Sequence, residues 1–493
     1  MSSIDAERAY DFRTTGLSRI AVTGVLWSLV MSFAPSLVSA VVFLFTSRSL
    51  GPKEFGLVAL AAAIATIAGA LAPVGFGQAI VQRKVIERRH LDSVFWLCVG
   101  TSILFYALVV ALAMPLAHAF NEPQLVGLLP VLGLRIIFDL AGTVPRAVLG
   151  RTMSFDKMAV RTTIASVFGG AVCLTALWLG YGLWALALSQ LTLSFTAAAG
   201  SILAARWWPR LHFDGAALHE LAHFGGFSSG INLINLLNLD QILIGGLLGV
   251  FQLGLYGFAR RIFQILSDVL AGPLNSVSFS LLASLQHDEA RRRDAFLFAT
   301  FLSALLSFPA FAGLAAVAND LVPLLFGSHW VAAIFALQAF SAIGILASIG
   351  VLQSSLITSH GNADVWFVYL LIKQVVTVVY VLLFNHLGID ALMASLVAIN
   401  YAMWVPTLFI VARILGLPVL RYVGSLAVPA LATGFMLLAV EGVRYVGAGW
   451  TVELRLALAI VAGAAVYAGV IVLLARGQLL RVRDVVVKRR RPA

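Results

Sequence analysis

The sequence has little charge and almost no cysteine. Only 11% of its 493 residues are charged and 61% are apolar, whereas soluble domains have about 25% charged residues. Cys98 and Cys173 both lie within apolar runs and lack metal-ligand spacing, which argues against a disulfide framework and a metal site. The chain also lacks a phosphate-binding loop and a nucleophile elbow. We therefore expect no cofactor and no enzymatic activity.

Long apolar runs fill almost the whole chain instead. With about 20 apolar residues taken as one membrane span, the sequence predicts fourteen transmembrane helices. Residues 1–19 precede a run that is too long for a signal-peptide core, so we expect no cleavage. The predicted spans lie near 20–47, 56–81, 93–118, 124–148, 158–180, 182–205, 224–248, 252–281, 295–318, 331–357, 364–387, 389–412, 420–444 and 452–475.

The positive charge follows the predicted topology. A net charge of +11 could indicate nucleic acid binding, but most basic residues lie between spans, where cytoplasmic loops hold them. If the N-terminus is cytoplasmic, inner segments contain 25 of the 33 Lys and Arg residues, and outer segments contain only Arg48, Lys53, Arg444 and Arg455. We therefore expect both termini on the cytoplasmic side of a bacterial inner membrane.

An internal repeat indicates two similar halves. LGPKEFGLVAL at 50–60 and LGVFQLGLYGF at 248–258 share an L-G-x4-G-L core, and Pro73 and Pro273 keep nearly the same offset. A duplicated motif, proline and basic loop in the same order favour duplication. The predicted fold is an all-α membrane protein with two pseudo-symmetric six-helix lobes around a central cavity and two further helices.

The predicted domain organisation follows from this repeat. It comprises a cytoplasmic segment (1–19), an N-lobe (20–209), a C-lobe (210–413), two appended helices (414–476) and a basic cytoplasmic tail (477–493).

Four basic residues fall inside the predicted spans and away from their ends: Arg135, Arg260, Arg261 and Lys373. Each costs about 2.5–3.5 kcal/mol at a helix centre, so such residues normally face a partner or a water-filled cavity. Both explanations are open for each residue. We therefore treat all four as candidates for binding substrate.

Nearby acids offer partners for three of these cations. Asp240 and Arg261 are equally far from a predicted turn between Val250 and Phe251, so they can pair across the hairpin, as a structural ion pair or in substrate or ion handling. Arg260 points away from Arg261, and Asp268 lies two turns further along. In another span, Arg135 and Asp139 have the i,i+4 spacing of a helical ion pair.

Lys373 has no acid within its own predicted helix. Tyr369, Lys373, Thr377 and Tyr380 are spaced three or four residues apart, so the sequence predicts a polar stripe along this helix, and Lys373 is the strongest candidate for lining a wet cavity. Several amides, Asn235 among them, lie in the span near 224–248. They can hydrogen-bond sugar hydroxyls or hold neighbouring helices together.

HELAH at 219–223 matches the H-E-x-x-H motif of zinc hydrolases. The motif lies in a predicted cytoplasmic linker, and no third ligand is evident, although catalytic zinc needs one. We favour an amphipathic connector at the membrane surface, with Leu218 and Leu221 toward lipid, over a membrane metalloprotease.

Several segments resemble one known family of transporters. They are SRSLGPKEFGLVAL (47–60), PVGFGQAIVQRK (73–84), LDSVFW (91–96), NLDQILIGGLLGVFQLGLYGFARR (238–261) and LLFGSHWVAA (324–333). Over roughly the first 410 residues the chain resembles the oligosaccharide flippases of the polysaccharide transporter family, within the multidrug/oligosaccharidyl-lipid/polysaccharide exporter superfamily. Phe258 stands where the family often has a basic residue.

The resemblance implies a flippase that moves an undecaprenyl-diphosphate-linked oligosaccharide to the outer leaflet for assembly of O-antigen, capsule or exopolysaccharide. It implies alternating access, membrane lipids as surroundings, and a polysaccharide polymerase and a chain-length regulator as candidate partners. A cationic cavity fits the diphosphate, for which Arg offers bidentate hydrogen bonds. The alternatives are a cation-coupled multidrug exporter, the metalloprotease, and an assembly scaffold that transports nothing.

Overall fold

The computed structural model describes residues 17–236, 239–284 and 289–475. Throughout these ranges the secondary structure is helical, with no strand, and eleven segments are long and apolar enough to cross a membrane. One of them, 364–415, covers two consecutive helices. The predicted all-α membrane fold is therefore confirmed.

The chain divides into two compact units, one of residues 1–258 with 378–386 and the other of 259–377 with 387–493. The predicted lobe and domain boundaries stay a prediction. The helices of the first range are α1 Leu17–Ser49, α2 Pro52–Ala70, α3 Phe76–Gln82, α4 Arg88–Ala119, α5 Leu125–Ala141, α6 Thr143–Arg151, α7 Phe155–Trp178, α8 Trp184–Ala205, α9 Gly215–Leu236 and α10 Leu239–Leu247.

One helix, α11 (Val250–Ser284), starts in the first unit and ends in the second. The helices that follow it are α12 Glu289–Phe326, α13 Ile334–Ser359, α14 Ala363–Phe384, α15 Gly388–Leu415, α16 Val419–Gly424, α17 Ala427–Val446 and α18 Val452–Leu474, and short 3₁₀ turns occupy Ser328–Ala333 and Asn385–Leu387.

The second predicted span is not one continuous helix. It breaks between α2 and α3, where Pro73 lacks the N–H that a helix needs and the backbone of α9 comes very close. A Cβ on Gly75 would lie 2.2 Å from the backbone nitrogen of Ser229, and the Gly75 N–H donates a hydrogen bond to the Ser229 hydroxyl at 3.0 Å. The break therefore makes room for a neighbouring helix.

The two copies of the repeated motif pack against each other inside the first unit. A Cβ on Gly56 would lie 1.7 Å from the carbonyl oxygen of Val250, and a Cβ on Gly254 would lie 1.8 Å from that of Pro52. Gly56 and Gly254 occupy equivalent positions in the two copies of the motif, and so do Pro52 and Val250. The contact is therefore reciprocal, as in an isologous interface. Only glycine allows two backbones to approach this closely.

Ion pairs join segments that the topology places on the same face of the membrane. Lys53 pairs with Glu122 at 3.3 Å, and both lie in predicted outer segments. In the second unit, the buried carboxylate of Asp320 binds Arg455, with 3.1 Å from Nε to Oδ2, and lies 3.6 Å from Nε of Arg444. These contacts fit the alternation of the spans, while the cytoplasmic location of the termini stays a prediction.

Candidate functional site

A cavity of about 350 Å³ lies in the second unit, among α13, α14 and α15. This volume is at the lower end of the range for small-molecule sites, roughly 300–1,000 Å³. It is lined by Ile343, Leu346, Ala347, Gly350, Val351, Gln353, Ser354, Trp366, Tyr369, Leu370, Lys373, Asn400 and Trp404. The cavity therefore combines one cation, aromatic rings and amides within membrane helices.

Lys373 supplies the positive charge of this cavity. It lies one helical turn after Tyr369, and both side chains are partly buried. No described residue forms an ion pair with the Lys373 ammonium or accepts a hydrogen bond from it, and no described lining residue is an acid. Since an ammonium in a membrane interior needs a counter-charge or water, the geometry fits a site for an anionic ligand. The predicted role of Lys373 and Tyr369 in binding substrate stays a prediction.

Aromatic rings form one side of the cavity. Trp366 and Tyr369 have ring centroids 5.0 Å apart and planes inclined by 31°. The indole N–H of Trp404 is buried and has no hydrogen-bond partner in the described ranges. A buried donor without an acceptor is costly.

Gln353 is held rigidly at the cavity wall. The side chain is 1% exposed, its amide nitrogen donates to the Tyr422 hydroxyl at 3.3 Å, and its amide oxygen accepts from Thr407 at 3.0 Å. Because protein groups satisfy both ends of the amide, Gln353 shapes the wall.

A second polar group of residues lies in the first unit. The predicted ion pair of Arg135 and Asp139 is present, with 3.1 Å between Nε and Oδ2, and Arg135 also donates to the Gln190 amide oxygen at 2.8 Å. The Asp139 side chain is 41% exposed, so packing does not enclose this carboxylate. A role for either residue in substrate handling stays a prediction.

The hairpin of α10 and α11 differs from the prediction in its turn. Gly249 adopts a φ of +88°, which favours glycine, and the turn falls at 248–249, before the predicted centre between Val250 and Phe251. The shift brings Tyr256 opposite Asp240, and the Tyr256 hydroxyl donates a hydrogen bond to the Asp240 carboxylate.

The remaining candidates of this region lie on α9 and α11. The predicted pair of Asp240 and Arg261 joins residues of different units and stays a prediction, as do the roles of Arg260 and Asp268. The side chain of Asn235 lies outside the described residues. Phe258 is fully buried and packs on Phe43 with ring centroids 5.4 Å apart, which explains an aromatic residue at this position.

Glu220 of the HELAH segment forms ion pairs in the structure. Arg83 and Arg89 both bind its carboxylate, Arg89 at 3.3 Å, and the ring of buried His90 contacts it at 3.2 Å. His90 Nδ1 accepts the Glu87 N–H at 3.1 Å, so His90 Nε2 holds the hydrogen that it donates to Glu220. This hydrogen bond, followed by that from Arg83, holds the pKa of Glu220 below its ordinary value.

These contacts attach the linker before α9 to the start of α4. Arg89 also binds Asp214 at 3.1 Å, and Leu221 is 3% exposed and packed within the protein. The prediction that Leu221 faces lipid was therefore wrong, because α9 packs on α3 and α4 at this point. Within the described ranges, no three His, Cys, Asp or Glu residues are arranged for a metal ion.

Sequence reasoning did not single out five polar or aromatic lining residues, namely Gln353, Ser354, Trp366, Asn400 and Trp404. A signal was available for two of them, since Gln353 and Asn400 interrupt apolar runs of spanning length. It also missed Arg151, which is fully buried and donates to the backbone carbonyls of Ile80 at 3.1 Å and Lys84 at 2.8 Å.

Comparisons with known proteins give a consistent picture. Residues 45–335 match the model of a family described as "Polysaccharide biosynthesis protein". The chain is 25% identical over 463 residues to the teichuronic acid biosynthesis protein TuaB of Bacillus subtilis, covering 92% of this chain and 95% of TuaB. It is 27% identical over 368 residues to the succinoglycan biosynthesis transport protein ExoT of Rhizobium meliloti, covering 73% of each.

Among solved structures, the fold is similar to that of the lipid II flippase MurJ in an inward closed conformation. The TM-score is 0.74 at 14% identity, and the match covers 92% of this chain and 100% of MurJ. At this level of identity the similarity concerns the fold.

Proposed function

The chain belongs to the polysaccharide biosynthesis protein family, and on that premise we propose that it is a flippase for lipid-linked oligosaccharides. It transfers the headgroup of an undecaprenyl-diphosphate-linked repeat unit from the cytoplasmic to the outer leaflet of a bacterial inner membrane. The flipped repeat unit then serves assembly of O-antigen, capsule or exopolysaccharide. We place both termini in the cytoplasm, with a polysaccharide polymerase and a chain-length regulator as partners.

The observation that supports this function best is the cavity around Lys373. Lys373 lies ten residues after the first residue of α14, which is about 15 Å along a helix with a rise of 1.5 Å per residue. A polar headgroup that crosses a membrane needs polar partners at that depth, because hydrocarbon offers none. An ammonium, amides and aromatic faces match the anionic and hydroxyl-rich parts of such a headgroup.

Transport in this proposal proceeds by alternating access, with the membrane potential or an ion gradient as driving force. Arg260, Arg261 and Arg135 act with Lys373 on the anionic headgroup, with Asn235 and Tyr369 as further contacts. Asp240, Asp139 and Asp268 pair with these cations or take part in ion coupling. The chain transports its substrate without a chemical reaction.

A flipping assay with purified protein tests the proposal. The protein is reconstituted into liposomes that contain a fluorescent undecaprenyl-diphosphate-linked oligosaccharide, and a membrane-impermeant quencher reports the fraction of headgroups in the outer leaflet over time. We expect the protein to accelerate exchange, and Lys373→Gln to slow it at least tenfold. A rate no faster than in protein-free liposomes would refute the function.

A matched control separates the cavity from general effects of lysine loss. Lys157 donates a hydrogen bond to the backbone carbonyl of Ala204 at 3.2 Å, belongs to the first unit and does not line the cavity. Lys157→Gln removes the same charge and should flip the substrate at the wild-type rate.

A further inference from the structure

We infer that the cavity around Lys373 binds one sugar residue with a carboxylate substituent, while the diphosphate of the substrate binds elsewhere. This inference rests on the proposed function and specifies which part of the substrate enters this site. It follows from the size, the charge and the shape of the cavity.

The size limits what can enter. About 350 Å³ suits a ligand near the smallest class of small-molecule sites. This volume accommodates one or two sugar rings, but it is far too small for a repeat unit together with its diphosphate and lipid. The cavity therefore receives one end of the headgroup.

The charge selects the kind of sugar. Lys373 contributes one positive charge, and the described lining residues include neither an arginine nor an acid. The single ammonium matches the single negative charge of a carboxylate. A diphosphate has at least two negative charges, and proteins hold such groups with several cations or with the bidentate fork of arginine.

The shape favours a pyranose ring beside that carboxylate. The inclined rings of Trp366 and Tyr369 present negative π faces, against which the C–H bonds of one sugar face pack well. Tyr369 and Lys373 are four residues apart on α14, so the aromatic surface and the ammonium lie on the same helix face. A sugar on the aromatic rings would thus place its carboxylate near Lys373.

A binding experiment on the intact protein tests this inference independently of transport. Trp366 and Trp404 make tryptophan fluorescence a suitable signal in nanodiscs, and the probes are glucuronate, glucose and inorganic pyrophosphate. We expect glucuronate to bind at least tenfold more tightly than glucose and pyrophosphate to compete poorly. Equal affinity for glucuronate and glucose, or tighter binding of pyrophosphate, would overturn the inference.

Two variants assign the effect to the cavity. Lys373→Gln should remove the preference for glucuronate and leave the affinity for glucose unchanged, whereas Lys373→Arg should retain the preference. Lys157→Gln is the control and should bind all three probes like wild type. If the preference persists in Lys373→Gln, another site is responsible and the inference fails.

A transport experiment in liposomes then compares the flipping rates of two lipid-linked disaccharides that differ only in whether the terminal sugar is glucuronate or glucose. Faster flipping of the acidic lipid, with the difference lost in Lys373→Gln, supports the inference. Equal flipping of both lipids refutes it while the proposed function stands. If neither lipid moves, the proposed function fails, and the binding experiment still decides what the cavity recognises.

Discussion

Replacing Gly254 or Gly56 with alanine should destabilise the first unit, because both glycines lie where two helix backbones meet. An added Cβ would come within 1.8 Å of the Pro52 oxygen or 1.7 Å of the Val250 oxygen, whereas real Cβ atoms stay beyond 3.0 Å. The obstacle in each case is a backbone carbonyl, which cannot rotate away as a side chain can. The two helices must therefore separate by roughly 1.2 Å in either variant.

The size of the effect follows from two contributions. Forced separation of packed elements costs about 1–3 kcal/mol, and loss of the close contact between a Cα hydrogen and a carbonyl adds about 0.5–1 kcal/mol. Each single variant should thus lose about 2–4 kcal/mol of unfolding free energy. For a unit of this size that lowers the melting temperature by about 4–16 °C.

Thermal unfolding of the purified protein in detergent is the assay, and Gly257→Ala is the control. Gly257 lies one turn beyond Gly254 on α11, but a Cβ there would be 3.8 Å from the Ala59 Cβ, an ordinary contact. We expect Gly257→Ala to melt like wild type or slightly higher, since alanine favours a helix. The reasoning is refuted if Gly254→Ala melts like wild type, or if Gly257→Ala is destabilised as much.

Three further predictions concern charged groups outside the cavity. The pKa of Glu220 is lower in the folded than in the unfolded protein. Its ion pairs therefore stabilise the linker fully above about pH 4.3, and this stabilisation is lost as the pH falls through the lower, folded-state pKa. Hydrogen exchange of residues 206–214 should rise over that pH window in wild type and much less in Glu220→Gln. Asp320→Asn should lower the melting temperature by leaving Arg455 without its counter-charge, and melting as stable as wild type would contradict this. Arg151→Lys should lower the melting temperature because lysine cannot reach several carbonyls at once, whereas an unchanged value would show that the charge alone suffices.

Hydropathy was sufficient to predict the fold, but it did not predict the local backbone geometry. Every predicted span corresponds to a helix or a pair of helices, because the hydrocarbon thickness sets the length of apolar sequence that a span needs. The break at residues 71–75 and the turn at Gly249 depend on a neighbouring backbone and on one φ angle. A run of apolar residues contains neither kind of information.

The candidate site was partly predictable. Lys373 stood out because a lone cation in an apolar run is costly, and the i,i+4 spacing was enough to predict that Arg135 pairs with Asp139. Trp366 and Trp404 lie on different helices, and a tryptophan in a membrane segment is ordinary by composition. Only the packing of three helices shows that both rings line the same cavity.

The ion pair of Asp320 and Arg455 also constrains the order of events while the chain is being synthesised. The two residues are 135 positions apart, and at a synthesis rate of about 5–20 residues per second the ribosome needs about 7–27 s to cover that distance. During this interval Asp320 has already been made and its partner Arg455 does not yet exist. The ion pair therefore forms only once synthesis has reached α18, the last helix in the described part of the chain, and a chain truncated before Arg455 would retain an acid that has lost this partner.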